Sequence, residues 1–229
     1  MKKSKKNYSL KNITERKTWE SENIFHLKTD VSRYGKFLTH YEIYKKILNI
    51  PGDIIECGVF KGVSLLQFAS FRYLLETNAS RKIIGFDDFG IFRHQNKIDD
   101  KKFITEWNKE LGQGISVKEL KNILEDKKFS NFELIKGDVK KTIPQYLKRN
   151  KHTKIALLHL DMDVYKPTMI ALNYFFKKLS NNGIILLDDY AVESGATEAI
   201  DNFFKDKRVV IKKMGMHDHC SYIKCEKKI

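Results

Sequence analysis

From residue 53 onward, continuous apolar runs alternate with stretches whose apolar positions recur at helical spacing. "DIIECGV", "KIIGFD", "NFELIKGD", "IALLHLD" and "GIILLDD" read as buried strands. Between them "SLLQFASFRYLLE", "SVKELKNILEDKK", "TMIALNYFFKKLS" and "ATEAIDNFFKD" read as amphipathic helices. Ser116 and Glu119 form a capping box for the second of these, and Asn181, Asn182 and Gly183 stop the third. "RVVIKKM" and "CSYIKCE" close the chain as an antiparallel pair at the sheet edge. Upstream, Phe37, Leu38, Tyr41, Tyr44, Ile47 and Leu48 mark a helix that "PGD" terminates. Residues 1–34 are polar and weakly patterned and read as an arm or lid on a domain spanning 35–229. The stretch from 90 to 112 is polar apart from Phe92, Phe103 and Trp107. Strands that are apolar throughout, alternating with helices, predict an α/β fold with a mostly parallel sheet covered on both faces.

Ligands of such sheets bind outside the carboxyl ends of the strands. There the sequence places Asp87 with Asp88, then Asp138, Asp161 with Asp163, and Asp188 with Asp189. An aspartate at a strand end also caps the next helix, so each one alone is ambiguous. Four consecutive strands ending this way point to a site. The first strand leads into "ECGVFKGVS", where Gly58 and Gly62 allow close backbone approach and Ser64 opens a helix. The spacing is neither the dinucleotide fingerprint nor the phosphate-binding P-loop. It suits a nucleoside without a polyphosphate, with Asp87 placed to accept from ribose hydroxyls.

Composition adds limits. The 229 residues carry a formal net charge of +14. That favours an anionic partner, although the lysines are dispersed like those of a solvated surface. A nucleic-acid-binding protein on a Rossmann-like scaffold is the alternative from another class, but strand-end carboxylates would repel phosphates. Three cysteines form no disulfide framework, and the simplest setting is a reducing cytoplasm. Cys57 reads as packing and His159 as a core histidine. No apolar run is long enough for a transmembrane helix, and the basic N-terminus lacks a signal-peptide apolar region.

"PGDIIECGVFKGVSLL", "GFDDFG", "KGDVKKTIP", "LHLDMDVYKPTMIALNYFFKKLSNNGIILLDDY" and "GATEAIDNFF" together resemble the macrocin O-methyltransferase family over roughly residues 50–205. These are class I S-adenosylmethionine-dependent enzymes, many of which methylate sugar hydroxyls. The glycine loop is also similar to that of catechol O-methyltransferase. The resemblance implies a Rossmann-like, seven-stranded class I fold and an S-adenosylmethionine cofactor. Glu56, Gly58 and Ser64 would line its amino-acid end, Asp87 would hold the ribose, and Asp138 would lie near the adenine. It further implies Mg2+ or another divalent cation on Asp161, Asp188 and Asp189. Residues 91–115 lack the family's "EG" and nearby proline.

Two chemical readings of the acids stay open. In one, a hard cation lowers the acceptor hydroxyl's pKa and all three acids are ionised. In the other, crowding without a cation raises one carboxylate, which acts as general base. The cation reading is favoured, with Asp161 also the expected acceptor of the hydroxyl proton. Asp163 either stands just behind the ligands or pairs with a lysine at the following helix. Tyr165, Tyr190 and His217 are candidates for the acceptor pocket. The acceptor itself reads as a sugar or polyol-like small molecule or glycan, an anionic nucleotide-linked sugar being one option, and a homodimer as a reasonable assembly.

Overall fold

Why the apolar runs become central strands is visible in how their side chains divide. Ile54, Leu157, Ile184 and Leu186 face one core, while Ile55, Cys57, Leu158, Leu160, Ile185 and Leu187 face the other. Successive strand residues point to opposite faces, so a strand buried on both sides is mostly apolar. Each such aliphatic side chain stabilises the fold by about 1.5–3 kcal/mol. The computed structural model describes residues 13–93, 98–217 and 219–226, without the side chains of residues 98 and 99.

The strands are β1 (Asp53–Cys57), β2 (Ile83–Asp87), β3 (Phe132–Lys136), β4 (Ile155–Leu160), β5 (Leu179–Leu187), β6 (Ile211–Lys213) and β7 (Ser221–Lys224). They form one sheet in the order β3-β2-β1-β4-β5-β7-β6. The first five are parallel, and β7 runs antiparallel between β5 and β6. The expected seven-stranded α/β fold is present, with its antiparallel strand one place in from the edge.

One face is covered by α2 (Ser32–Ile47), α3 (Val63–Leu75) and α5 (Val117–Asp126), the other by α6 (Val139–Arg149), α7 (Tyr165–Phe175) and α8 (Ser194–Phe204). Ser116 caps α5 by accepting from Glu119 N at 3.2 Å, as the capping box predicts.

Four details depart from the sequence reading. The polar arm contains a helix, α1 (Glu15–Lys28), capped by Thr14 and burying none of its residues; residues 1–12 lie outside the described residues. The polar stretch contains α4 (Ile98–Glu110). Asn181–Gly183 lie inside β5 rather than ending a helix, because α7 finishes earlier in a 3-10 turn over Phe176–Lys178. Asn182 takes a positive φ of 62° there, beside an irregularity in the β4–β5 register. Finally, the buried face of α2 is Gly35, Thr39, His40, Ile43, Tyr44 and Ile47, leaving Phe37 and Leu38 exposed.

Candidate active site

The carboxyl ends of β1, β2, β4 and β5 open into a cavity of about 1220 Å3. Its wall includes Gly58, Ser64, Asp87, Asp138, Asp161, Asp163, Asp188 and Asp189. The central strands meet here because β1 leads to β2 on one side and lies against β4 on the other, the switch point where open α/β sheets leave a crevice.

The glycine loop after β1 is held by acids rather than left open. Asp87 Oδ2 accepts from Val59 N at 2.8 Å and Phe60 N at 3.1 Å, and Oδ1 accepts from Phe89 N. Asp87 therefore pins the loop to β2, keeping only its remaining lone pairs for a ligand. Gly58 has φ +90°, and a Cβ there would lie 1.6 Å from the carbonyl oxygen of Asp161. Its missing side chain lets the loop press against the end of β4. Gly62, at φ +80°, caps α3 and packs on Leu120 rather than admitting a ligand. Ser64 donates to Glu56, which is fully buried and outside the cavity wall, so Glu56 supports the loop from behind. Asp138 is the N-cap of α6, accepting from Lys140 N at 2.9 Å, and still reaches the wall.

The acids past β4 and β5 separate into two groups. Asp161, Asp163 and Asp189 each offer an oxygen, and these oxygens all lie within 4.8 Å of one another. Asp163 N also donates to Asp189 Oδ2 at 3.0 Å. Burial and mutual repulsion push all three carboxyls well above the ordinary range; Asp188 adds to the repulsion on each. Asp188, which the resemblance groups with Asp161 and Asp189, has partners of its own. Lys36 Nζ donates to its Oδ2 at 2.7 Å, and Cys220 Sγ donates to its Oδ1 at 3.3 Å. His159 Nε2 and His40 Nε2 lie 3.7 and 3.8 Å from Oδ1. Burial opposes ionisation of Asp188, but His159, His40 and Lys36 outweigh it and hold its pKa well below the usual value.

Tyr165, Tyr190 and His217 lie outside the cavity wall. Tyr165 OH accepts from Asn202 at 3.4 Å, Tyr190 OH donates to Asp201 at 2.9 Å, and His217 packs on His219, with ring centroids 5.0 Å apart. His219 is the member of that pair that reaches the cavity. His159 is buried as expected but is no bland core residue: its Nδ1 lies 3.3 Å from Glu56. Burial alone would lower its pKa, and Asp188 and Glu56 together raise it to about 10.

A family model described as macrocin-O-methyltransferase matches residues 40–224. The chain belongs to the macrocin O-methyltransferase (TylF) family. Among its relatives, the demethyldecarbamoylnovobiocin O-methyltransferase of Streptomyces niveus is 25% identical over 167 residues, covering 68% of this chain and 59% of that protein. The mycinamicin III 3''-O-methyltransferase of Micromonospora griseorubida is 26% identical over 179 residues, 73% of this chain and 68% of that one. The chain thus spans less than two thirds of the length of the novobiocin relative. The crystal structure of a calicheamicin methyltransferase superposes with a TM-score of 0.76 at 25% identity, covering 92% of this chain and 86% of that one.

Three convergent carboxylates are an all-oxygen set suited to a hard divalent cation. The glycine-bordered wall, with Gly58, Gly90 and Gly137 beside Asp88 and Asp138, suits a nucleoside. Sequence reasoning missed Lys36 and His40, which lie one turn apart on α2 and both reach Asp188. It also missed Phe25, His26 and Tyr34, which bring the arm to the cavity, with His26 Nδ1 2.6 Å from Tyr34 OH. Trp107 of α4 joins them, its ring 5.4 Å from Phe60 in the glycine loop.

Proposed function

We propose that this protein is an S-adenosylmethionine-dependent O-methyltransferase acting on a hydroxyl of a sugar or polyol-like acceptor, with a divalent cation at the acidic rim. The observation that carries it is the gathering of Asp161, Asp163 and Asp189 beside the glycine loop, in one cavity, in a chain of this family. The relatives named above are O-methyltransferases, and another crystal structure of the calicheamicin enzyme, TM-score 0.69, describes it as a TDP-rhamnose 3'-O-methyltransferase.

S-adenosylmethionine supplies an activated methyl group, so the leaving group needs little acid help. A divalent cation held by the acidic oxygens would lower the pKa of an acceptor hydroxyl. The protein's own part is to orient and to accept a proton. Asp161, whose backbone carbonyl lies against Gly58, would hold the hydroxyl next to the cofactor loop and accept its proton. Alignment of two reactants in such a cavity can contribute about 7–11 kcal/mol. Arg33, Lys61, Lys140 and Lys166 are exposed along the wall and would favour an acceptor carrying phosphate or carboxylate.

Calorimetry with S-adenosylmethionine, with and without Mg2+, followed by a mass-spectrometric screen of sugar acceptors, tests this. Asp161→Asn and Asp189→Asn are expected to bind the cofactor normally and to lose methyl transfer by about 10^2–10^4-fold. Full activity in both variants would remove the acidic rim from the reaction.

A further inference from the structure

Asp188 is the one rim acid already saturated by this chain's own donors. Lys36 reaches its Oδ2 at 2.7 Å, and Cys220 from the approach to β7 reaches its Oδ1 at 3.3 Å. The Nε2 atoms of His40 and His159 are buried without hydrogen bonds, and both lie within 3.8 Å of that same Oδ1. Lys36 is delivered there by backbone packing. A Cβ on the preceding Gly35 would stand 2.0 Å from the carbonyl oxygen of Met216, so α2 rests directly on the β6–β7 connection. The Lys36 ammonium also feels the charge of Asp161, which belongs to the other acidic group. It is a positive charge on the same cavity wall that Asp161, Asp163 and Asp189 line.

A divalent cation entering among Asp161, Asp163 and Asp189 would meet this ammonium as a like charge, in surroundings where screening is weak. A cation using Asp188 as a ligand would have to displace it outright. We propose that Lys36 is an internal competitor for the divalent cation: the ammonium and the metal ion hold the acidic rim in alternation, and the strength of the Lys36–Asp188 pair sets how tightly the metal binds. The inference rests on reading the rim as a cation site. It does not depend on which acceptor is methylated.

The test is Mn2+ binding, followed by electron paramagnetic resonance of the free ion, to wild type, Lys36→Met and Lys36→Arg without cofactor or acceptor. Lys36→Met is expected to bind Mn2+ at least about tenfold tighter than wild type, and Lys36→Arg, which keeps the charge, to stay near wild type. Equal or weaker binding by Lys36→Met overturns the proposal, as does the absence of Mn2+ binding by all three proteins. A second measurement needs no variant: Mn2+ should increase labelling of Lys36 by an amine-reactive reagent in wild type, read by mass spectrometry. Unchanged or reduced labelling overturns the proposal as well. Calorimetry of S-adenosylmethionine binding to wild type separates the two levels. Its failure would remove the methyltransferase reading while leaving the Mn2+ result to stand.

Discussion

Asp188 and Asp189 show how much one position along a chain decides. Asp161 and Asp163 meet at Asp189 in the loop that follows β4, where Asp163 takes a φ of 60°, while the neighbouring Asp188 faces α2. Gly58 is the other residue on which the site turns. Gly58→Ala is expected to fail through both strain at φ +90° and collision with Asp161, with a loss of about 3 kcal/mol or more in urea denaturation together with loss of cofactor binding. A variant as stable as wild type would show that the loop can move off β4. The acids' positions were legible because strand ends in this fold carry function. Their grouping was not, since Asp163 read as standing behind the ligands or pairing with a lysine. Lys36 and His40 carried no signal, because nothing in a sequence says which strand end a helix will overlie.

At the scale of elements, β1, β2, β4 and β5 were readable because two-sided burial leaves mostly apolar residues, with Glu56 and His159 as buried exceptions. The face of α2 was readable only in its second half, where Tyr44 and Ile47 are buried, because its first half buries Gly35 and Thr39 instead of Phe37 and Leu38. α4 was hidden by its composition, four of its first five residues after Ile98 being charged. α1 poses a different question, since it buries no residue yet supplies Phe25 and His26 to the cavity. Truncation to begin at Thr29 is expected to shift Tm by less than about 4 °C, the equivalent of roughly 1 kcal/mol at this size. The same truncation should raise the acceptor KM about tenfold, the loss of about 1.4 kcal/mol of binding. A large fall in Tm, or an unchanged KM, would show that α1 serves stability instead of the cavity.

For the whole molecule, the informative feature is where the sheet finishes. β7 pairs with β5 along Ile184–Leu187, and β6 adds outside it. Through Met216 and Cys220 the same hairpin touches α2 and Asp188, so the last part of the chain completes a site begun near residue 35. A chain stopped before Ile211 is therefore expected to aggregate on expression, seen by light scattering, because an open apolar strand edge templates pairing with other chains. A monodisperse truncated protein would contradict this. During synthesis, the apolar half of β5, Ile184–Leu187, must wait, its hydrogen-bonding edge bare, until β7 has left the ribosome. The interval between making Leu187 and making Ser221 is when this molecule most depends on chaperones.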